Sequence, residues 1–303
     1  MPHILCAGIA VLDEVFRVKE VPIADTKVEA SEFITIGGGC AANAAVAIAR
    51  LGGSVSLAAP LGGPEGEDAI GDRIIEGLRR ESIDCAGCVR VPGARTSVSA
   101  IFLNARGERT IATYRDSRLD GIVPADPEKL VAGAGADAVL FDNRFPDFVT
   151  PICRAARRRG IPVVMDADKA TTDSHPLFSA ATHVIYSAEC LRATARTDDL
   201  AAGLLHMARF TDAFLAVTNG PNLVLWHDAK TIREMPVFAI DAVDTLGAGD
   251  VFHGAFALAL VEQQETEGAM RFAAAAAGLK CSRFGGSTAA PWRAEVEALL
   301  TRS

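Results

Sequence analysis

The stretch Asp244-Thr245-Leu246-Gly247-Ala248-Gly249-Asp250 sets two acidic residues around a Gly-Ala-Gly turn, and an apolar helical pattern follows over 251–261. Glycines at a helix start let backbone N–H groups converge on an anion, and the helix dipole favours negative charge there. A carboxylate inside such a turn repels a resting phosphate. It makes sense where a proton is abstracted while a phosphoryl group moves, so the stretch points to phosphoryl transfer.

Upstream of this turn the chain alternates regularly. Short apolar runs at 138–141, 162–165, 182–185 and 213–217 are separated by helical segments, and polar residues follow each run. That alternation predicts an α/β fold: a mostly parallel sheet, helices on both faces, and functional residues beyond the strands' carboxyl ends. Nearer the N-terminus, 4–11 and 55–59 read as strands and 68–80 as an amphipathic helix. Gly37-Gly38-Gly39 precedes a helix over 41–51, which Gly52-Gly53 ends. Segments 96–103 and 109–114 alternate around Asn104-Ala105-Arg106-Gly107, a hairpin signal. Two polar, alternating segments, roughly 12–36 and 93–117, fall outside the core pattern. They read as a small β lid inserted into a single domain spanning 1–303.

Composition narrows the function. The 303 residues are 50% hydrophobic but only 6% aromatic, which suits a buried parallel sheet wrapped by Ala-rich helices. A formal charge of −8 argues against nucleic acid, which needs clustered positive charge. No apolar run approaches the ~20 residues of a membrane helix, and the N-terminus has no basic segment before its apolar run, so the expected location is the cytoplasm. The seven cysteines form no disulfide framework; Cys85-Ala-Gly-Cys88 is a single C-x-x-C without a second pair, and buried thiols are the expectation. There is no G-x-x-x-x-G-K-[ST] loop, and Gly133-Ala-Gly135 lacks the third glycine of a dinucleotide fingerprint.

Asp244-Thr-x-Gly-Ala-Gly-Asp250 and the helix opening after it resemble the C-terminal signature of the ribokinase (PfkB) family of carbohydrate kinases. Gly38-Gly39-x-x-x-Asn43, continuing to Gly52, is similar to that family's N-terminal signature. The resemblance covers essentially the whole chain. It implies a ribokinase-like three-layer α/β/α sandwich with a β-sheet lid, ATP and Mg2+ as cofactors, and a homodimer formed through the lid. Asp250 would be the general base, with Gly247, Ala248 and Gly249 shaping the anion hole. Asp13, Gly38, Gly39 and Asn43 would hold the sugar. Ser187, Thr218, Gly220, Thr245, Gly285 and Gly286 would line the nucleotide site. Asp244 resembles a position associated with a monovalent cation such as K+. The family's Asn-x-x-Glu magnesium motif is altered here: Ser187 and Cys190 stand at its ends, and Glu189 is one position away.

Within the family, Gly37-Gly38-Gly39, Val251-Phe-His-Gly254 and Leu279-Lys-Cys281-x-Arg283-x-Gly-Gly286 resemble the bacterial sulfofructose kinases. Lys27 and Arg144 match cationic positions that this branch uses around the sulfonate, whereas Asn43 and Thr113 stand where it can carry Thr and Asn. The expected acceptor is therefore a primary hydroxyl of a ketose or related sugar, with an anionic end such as that of sulfofructose under consideration. Fructose, 2-keto-3-deoxygluconate and nucleosides remain alternatives, as does a non-catalytic sugar- or nucleotide-binding regulator.

Overall fold

The computed structural model describes residues 1–104, 109–228 and 230–302. The hairpin turn expected over 105–107, with Arg106, lies outside them. An eight-stranded sheet forms the centre. In spatial order its strands are Ile232–Met235, Val224–His227, Phe214–Thr218, His183–Ser187, Val163–Ala167, Ala138–Asp142, His3–Ala7 and Ser54–Ala58. The last six pair in parallel, and the first two close one edge antiparallel.

The short apolar runs make sense in this sheet because both faces are buried. Ile4 and Cys6 enter the core on one side, with Ala138 and Leu140 beside them. Leu5 and Ala7 enter the other, with Val139 and Phe141. Side chains alternate across a strand, so a run without polar residues fills two helical layers at once. Small side chains let the helices Cys40–Arg50 and Ala248–Val261 cross closely on one face.

A separate four-stranded sheet has the order Ala30–Gly38, Val11–Val18, Ser97–Leu103, Arg109–Tyr114. Val11–Val18 pairs antiparallel with Ala30–Gly38 and parallel with Ser97–Leu103, joining the two segments that stood outside the core pattern. Its inner face carries Asp13, Ser99 and Thr113 in register, then Ile101 opposite Ile111. Among the described residues, no helix is long and apolar enough to cross a membrane. All seven cysteines are free thiols.

Candidate active site

The carboxyl ends of the parallel strands and the inner face of the small sheet enclose one large cavity of about 1400 Å³. Parallel strands deliver their last residues to the same side, which brings Asp142, Asp166 and Ser187 to this rim.

The anion turn forms one wall. Gly247 precedes the helix Ala248–Val261 with φ 77°, a left-handed conformation that glycine adopts without a Cβ clash. Asp250 sits in the first helical turn, where backbone N–H groups have no acceptor one turn back. Asn43, from the helix Cys40–Arg50, donates through Nδ2 to Asp250 Oδ2 at 2.7 Å. Its own Oδ1 is buried without a hydrogen-bond partner. Burial raises Asp250 to about 7; the Asn43 hydrogen bond opposes the rise, and the Asp168 charge adds to it.

Asp13 forms the floor on the side expected to take the sugar. It is 5% exposed, and burial raises its carboxyl to about 6 against the lowering effect of Ser99. Gly38 explains how it fits: a Cβ there would lie 1.9 Å from Asp13 Oδ2. Gly39 and Thr113 also line the cavity, and Thr113 Oγ1 is 3.0 Å from Ser99 Oγ. Arg144 lines it too, but its guanidinium is paired with Asp168. Arg115 donates to the Arg144 carbonyl at 2.6 Å. Lys27 is not among the cavity's lining residues; it lies exposed in the 19–29 connection between two strands of the small sheet.

On the expected nucleotide side, Ser187, Thr218 and Gly220 line the cavity beside Pro221, Val224 and Phe238. Ser187 Oγ also accepts from Cys190 N at 3.2 Å, capping the helix Ala188–Ala195. Glu189 sits in that helix's first turn, outside the lining. Thr245 faces the cavity, and its Oγ1 accepts from Arg109 of the small sheet at 2.8 Å. Gly285 and Gly286 are not in the lining. Their amides both donate to Asp244 Oδ2 at 3.1 Å.

A model of the pfkB family of carbohydrate kinases matches residues 1–293. The chain belongs to that family. Ribokinase of Bacillus subtilis (strain 168) is 30% identical over 306 residues, covering 99% of this chain and 100% of that protein. Fructokinase-1 of Zea mays is 26% identical over 301 residues, covering 91% of each. A crystal structure of an Agrobacterium tumefaciens protein, provisionally described as a ribokinase, superposes with a TM-score of 0.93. It is 37% identical and covers 99% of this chain and 98% of its own. The protein is thus an ATP-dependent carbohydrate kinase.

Several residues near the cavity were not singled out in the sequence. Asp142 is 1% exposed and accepts from Ile9 N at 2.7 Å, Ala41 N at 3.2 Å and Arg144 N at 2.9 Å. One carboxylate thereby ties the first strand's exit to the start of the Cys40–Arg50 helix. His253, one turn beyond Asp250, has Nδ1 2.6 Å from Gly249 O and Nε2 3.1 Å from Ile185 O. Both partners are acceptors, so the ring donates twice only when it carries a second proton. Burial opposes that proton and prevails, while the Ile185 and Gly249 carbonyls and the Asp168 charge favour it; Asp166 Oδ2 lies 3.4 Å from Nδ1. Asp166, Asp250 and Cys40 each place a ligand atom within 4.8 Å of the others, and burial followed by the Asp250 charge pushes Asp166 well up. The sequence signal for His253 was its place in the Val251-Phe-His-Gly254 motif, which does not reveal its partners.

The oxygen ligand that the cavity wall offers is of the kind Mg2+ takes. Asp168 offers a part-exposed carboxylate at the cavity, and Mg2+ takes oxygen ligands while keeping several waters.

Proposed function

We propose that this kinase transfers the γ-phosphoryl group of ATP to a primary hydroxyl of a ketose or related sugar, with Asp250 as general base. One observation carries the reading: the Asp250 carboxylate stands beside the anion turn, bonded to Asn43 and tuned to about 7. A base works best with a pKa near the operating pH. The sugar would lie between Asp13, which accepts from hydroxyls, and Asn43, whose unpartnered Oδ1 accepts from another. Amides of Gly249 and Asp250 would stabilise the charge on the moving phosphoryl group. Bound Mg2+ supplies neutralisation of the phosphate charge; Asp168 would hold it through its waters, with Glu189 further out. Inward closure of the small sheet would exclude water, the competing acceptor.

Cations in the cavity lining, among them Arg144, Lys169 and Arg115 (itself paired with Asp120), favour an acceptor with an anionic end such as sulfofructose. Lys27 would join them only if the 19–29 connection moved inward. A neutral sugar is the second reading, and the Arg144–Asp168 pair favours it by neutralising the best-placed guanidinium. The relatives named ribokinase and fructokinase support it too.

ATP consumption measured across sulfofructose, fructose, ribose, 2-keto-3-deoxygluconate and nucleosides separates these readings. The expected result is the highest kcat/KM on the anionic sugar, with Arg144→Ala lowering it ~10–100-fold, the worth of a charge-assisted hydrogen bond. A neutral sugar turned over best, and indifferently to Arg144→Ala, sinks the anionic-end reading. ATP binding without turnover of any sugar would instead support the regulator.

The outer face of the small sheet supports a homodimer. Phe16 stacks with Phe33 at 4.8 Å and with Phe102 at 5.7 Å, while Phe33 remains 54% and Tyr114 51% exposed. A partly exposed aromatic cluster of this kind suits a second copy of the same sheet.

A further inference from the structure

Lys280 occupies the last turn of the helix Thr266–Cys281 and is 0% exposed. Burying an ammonium costs several kcal/mol unless its donors find partners. They find them on one residue: Nζ donates to Asp244 O at 2.8 Å and lies 3.0 Å from Asp244 Oδ2. The same carboxylate accepts from Leu246 N at 2.8 Å and from Gly285 N and Gly286 N. Burial works against ionised Asp244, yet the Lys280 ammonium and these amides outweigh it and hold the carboxyl below its usual range.

Asp244 therefore anchors the irregular segment that enters the turn, three residues before Gly247, and its charge is already balanced. A dissociable K+ would need a carboxylate or carbonyl oxygen with room beside it. Nζ engages Asp244 O and Oδ2, and Leu246 N engages the remaining oxygen, Oδ1. The residues present do not fit the monovalent cation that the motif resemblance implies.

We propose that Lys280 is a tethered cation that replaces a dissociable monovalent ion beneath the anion turn, so this kinase works without K+ and depends on Lys280 as a positioning residue. The proposal rests on the reading of the Gly247–Asp250 turn as the phosphoryl site. The lysine touches neither substrate nor phosphate. It fixes Asp244, and Asp244 fixes Leu246 and the Gly285–Gly286 turn against the start of the catalytic helix.

The test compares turnover of the best sugar at equal ionic strength in KCl, NaCl and tetramethylammonium chloride, for wild type, Lys280→Met and Lys280→Ala. Wild type should run equally in all three salts. Lys280→Met keeps most of the volume and loses the charge; its kcat should fall ~10–100-fold, the cost of a slightly misplaced catalytic turn, with KM for the sugar little changed. Lys280→Ala leaves space beside Asp244, and K+ should restore part of its rate while tetramethylammonium does not. Stimulation of wild type by K+ overturns the proposal. So does a Lys280→Met enzyme at wild-type rate, or a folded Lys280→Ala enzyme that stays slow in every salt, since a mere structural strut gives no cation rescue. Should Lys280→Ala fail to fold, the wild-type salt series and Lys280→Met still decide. Absence of turnover with every sugar would refute the proposed function instead, so the two failures are distinguishable.

Discussion

At the scale of single residues, the site separates ionisable groups by their surroundings. Asp250 is drawn out of water and rises to about 7. A folded-state pKa above the unfolded value means that stability present in acid is lost as pH climbs from the ordinary carboxylate range through about 7. Asp250→Asn cannot ionise, so it should melt higher than wild type at pH 8, with the gain shrinking toward pH 5. Its kcat should fall ~10²–10⁴ for loss of a general base. Calorimetry at both pH values checks the first half, and a lower melting temperature at pH 8 would contradict it. The Asn43 hydrogen bond pulls the Asp250 pKa down. Asn43→Leu should therefore move the acid limb of kcat/KM to higher pH, and an unmoved limb would dissociate Asn43 from the base. Asp250 and Asn43 were legible because each sits in a glycine-marked turn with its own sequence pattern. Lys280 and His253 were not. Each stood in the sequence only as part of a family-like motif, and only its partner 36 or 68 residues away, Asp244 or Ile185, explains its burial.

At the scale of elements, the strand Ala30–Gly38 and the helix Cys40–Arg50 act as one unit that delivers Asn43 and makes room for Asp13. A Cβ at Gly38 would collide with the Asp13 carboxylate rather than with a yielding methyl. Gly38→Ala should raise KM for the sugar while leaving ATP affinity intact, and destabilise the fold by ~1–3 kcal/mol through overpacking. Separate titrations of sugar and nucleotide, with a denaturant melt, measure both; an unchanged sugar KM would show that Asp13 does not touch the acceptor. The parallel core strands were readable because burial on both faces leaves an unbroken apolar run. The pairing of Val11–Val18 with Ser97–Leu103 was not, since a ladder between segments some 85 residues apart leaves no local pattern. The antiparallel edge strands Val224–His227 and Ile232–Met235 are too short for a period to show.

At the scale of the whole molecule, a charged cavity and an aromatic outer face lie on opposite sides of the same small sheet. If that face docks a second copy, Phe33→Glu should convert a dimer to a monomer in sedimentation equilibrium. The melting temperature should drop only by the lost mass-action stabilisation. A wild-type chain that sediments as a monomer at micromolar concentration removes the homodimer from the proposed function.

The sequence by itself determined the α/β class and the family, and it marked the turn proposed to carry the reaction. Periodicity and glycine placement are local, and the physics they encode acts over one or two turns of chain. Only the tertiary structure decided that Arg144 meets a counter-charge in Asp168, that Lys27 stands outside the cavity, and that a lysine rather than open space lies beside Asp244. Charge balance and burial depend on what the fold brings within a few ångströms, and sequence separation does not record it.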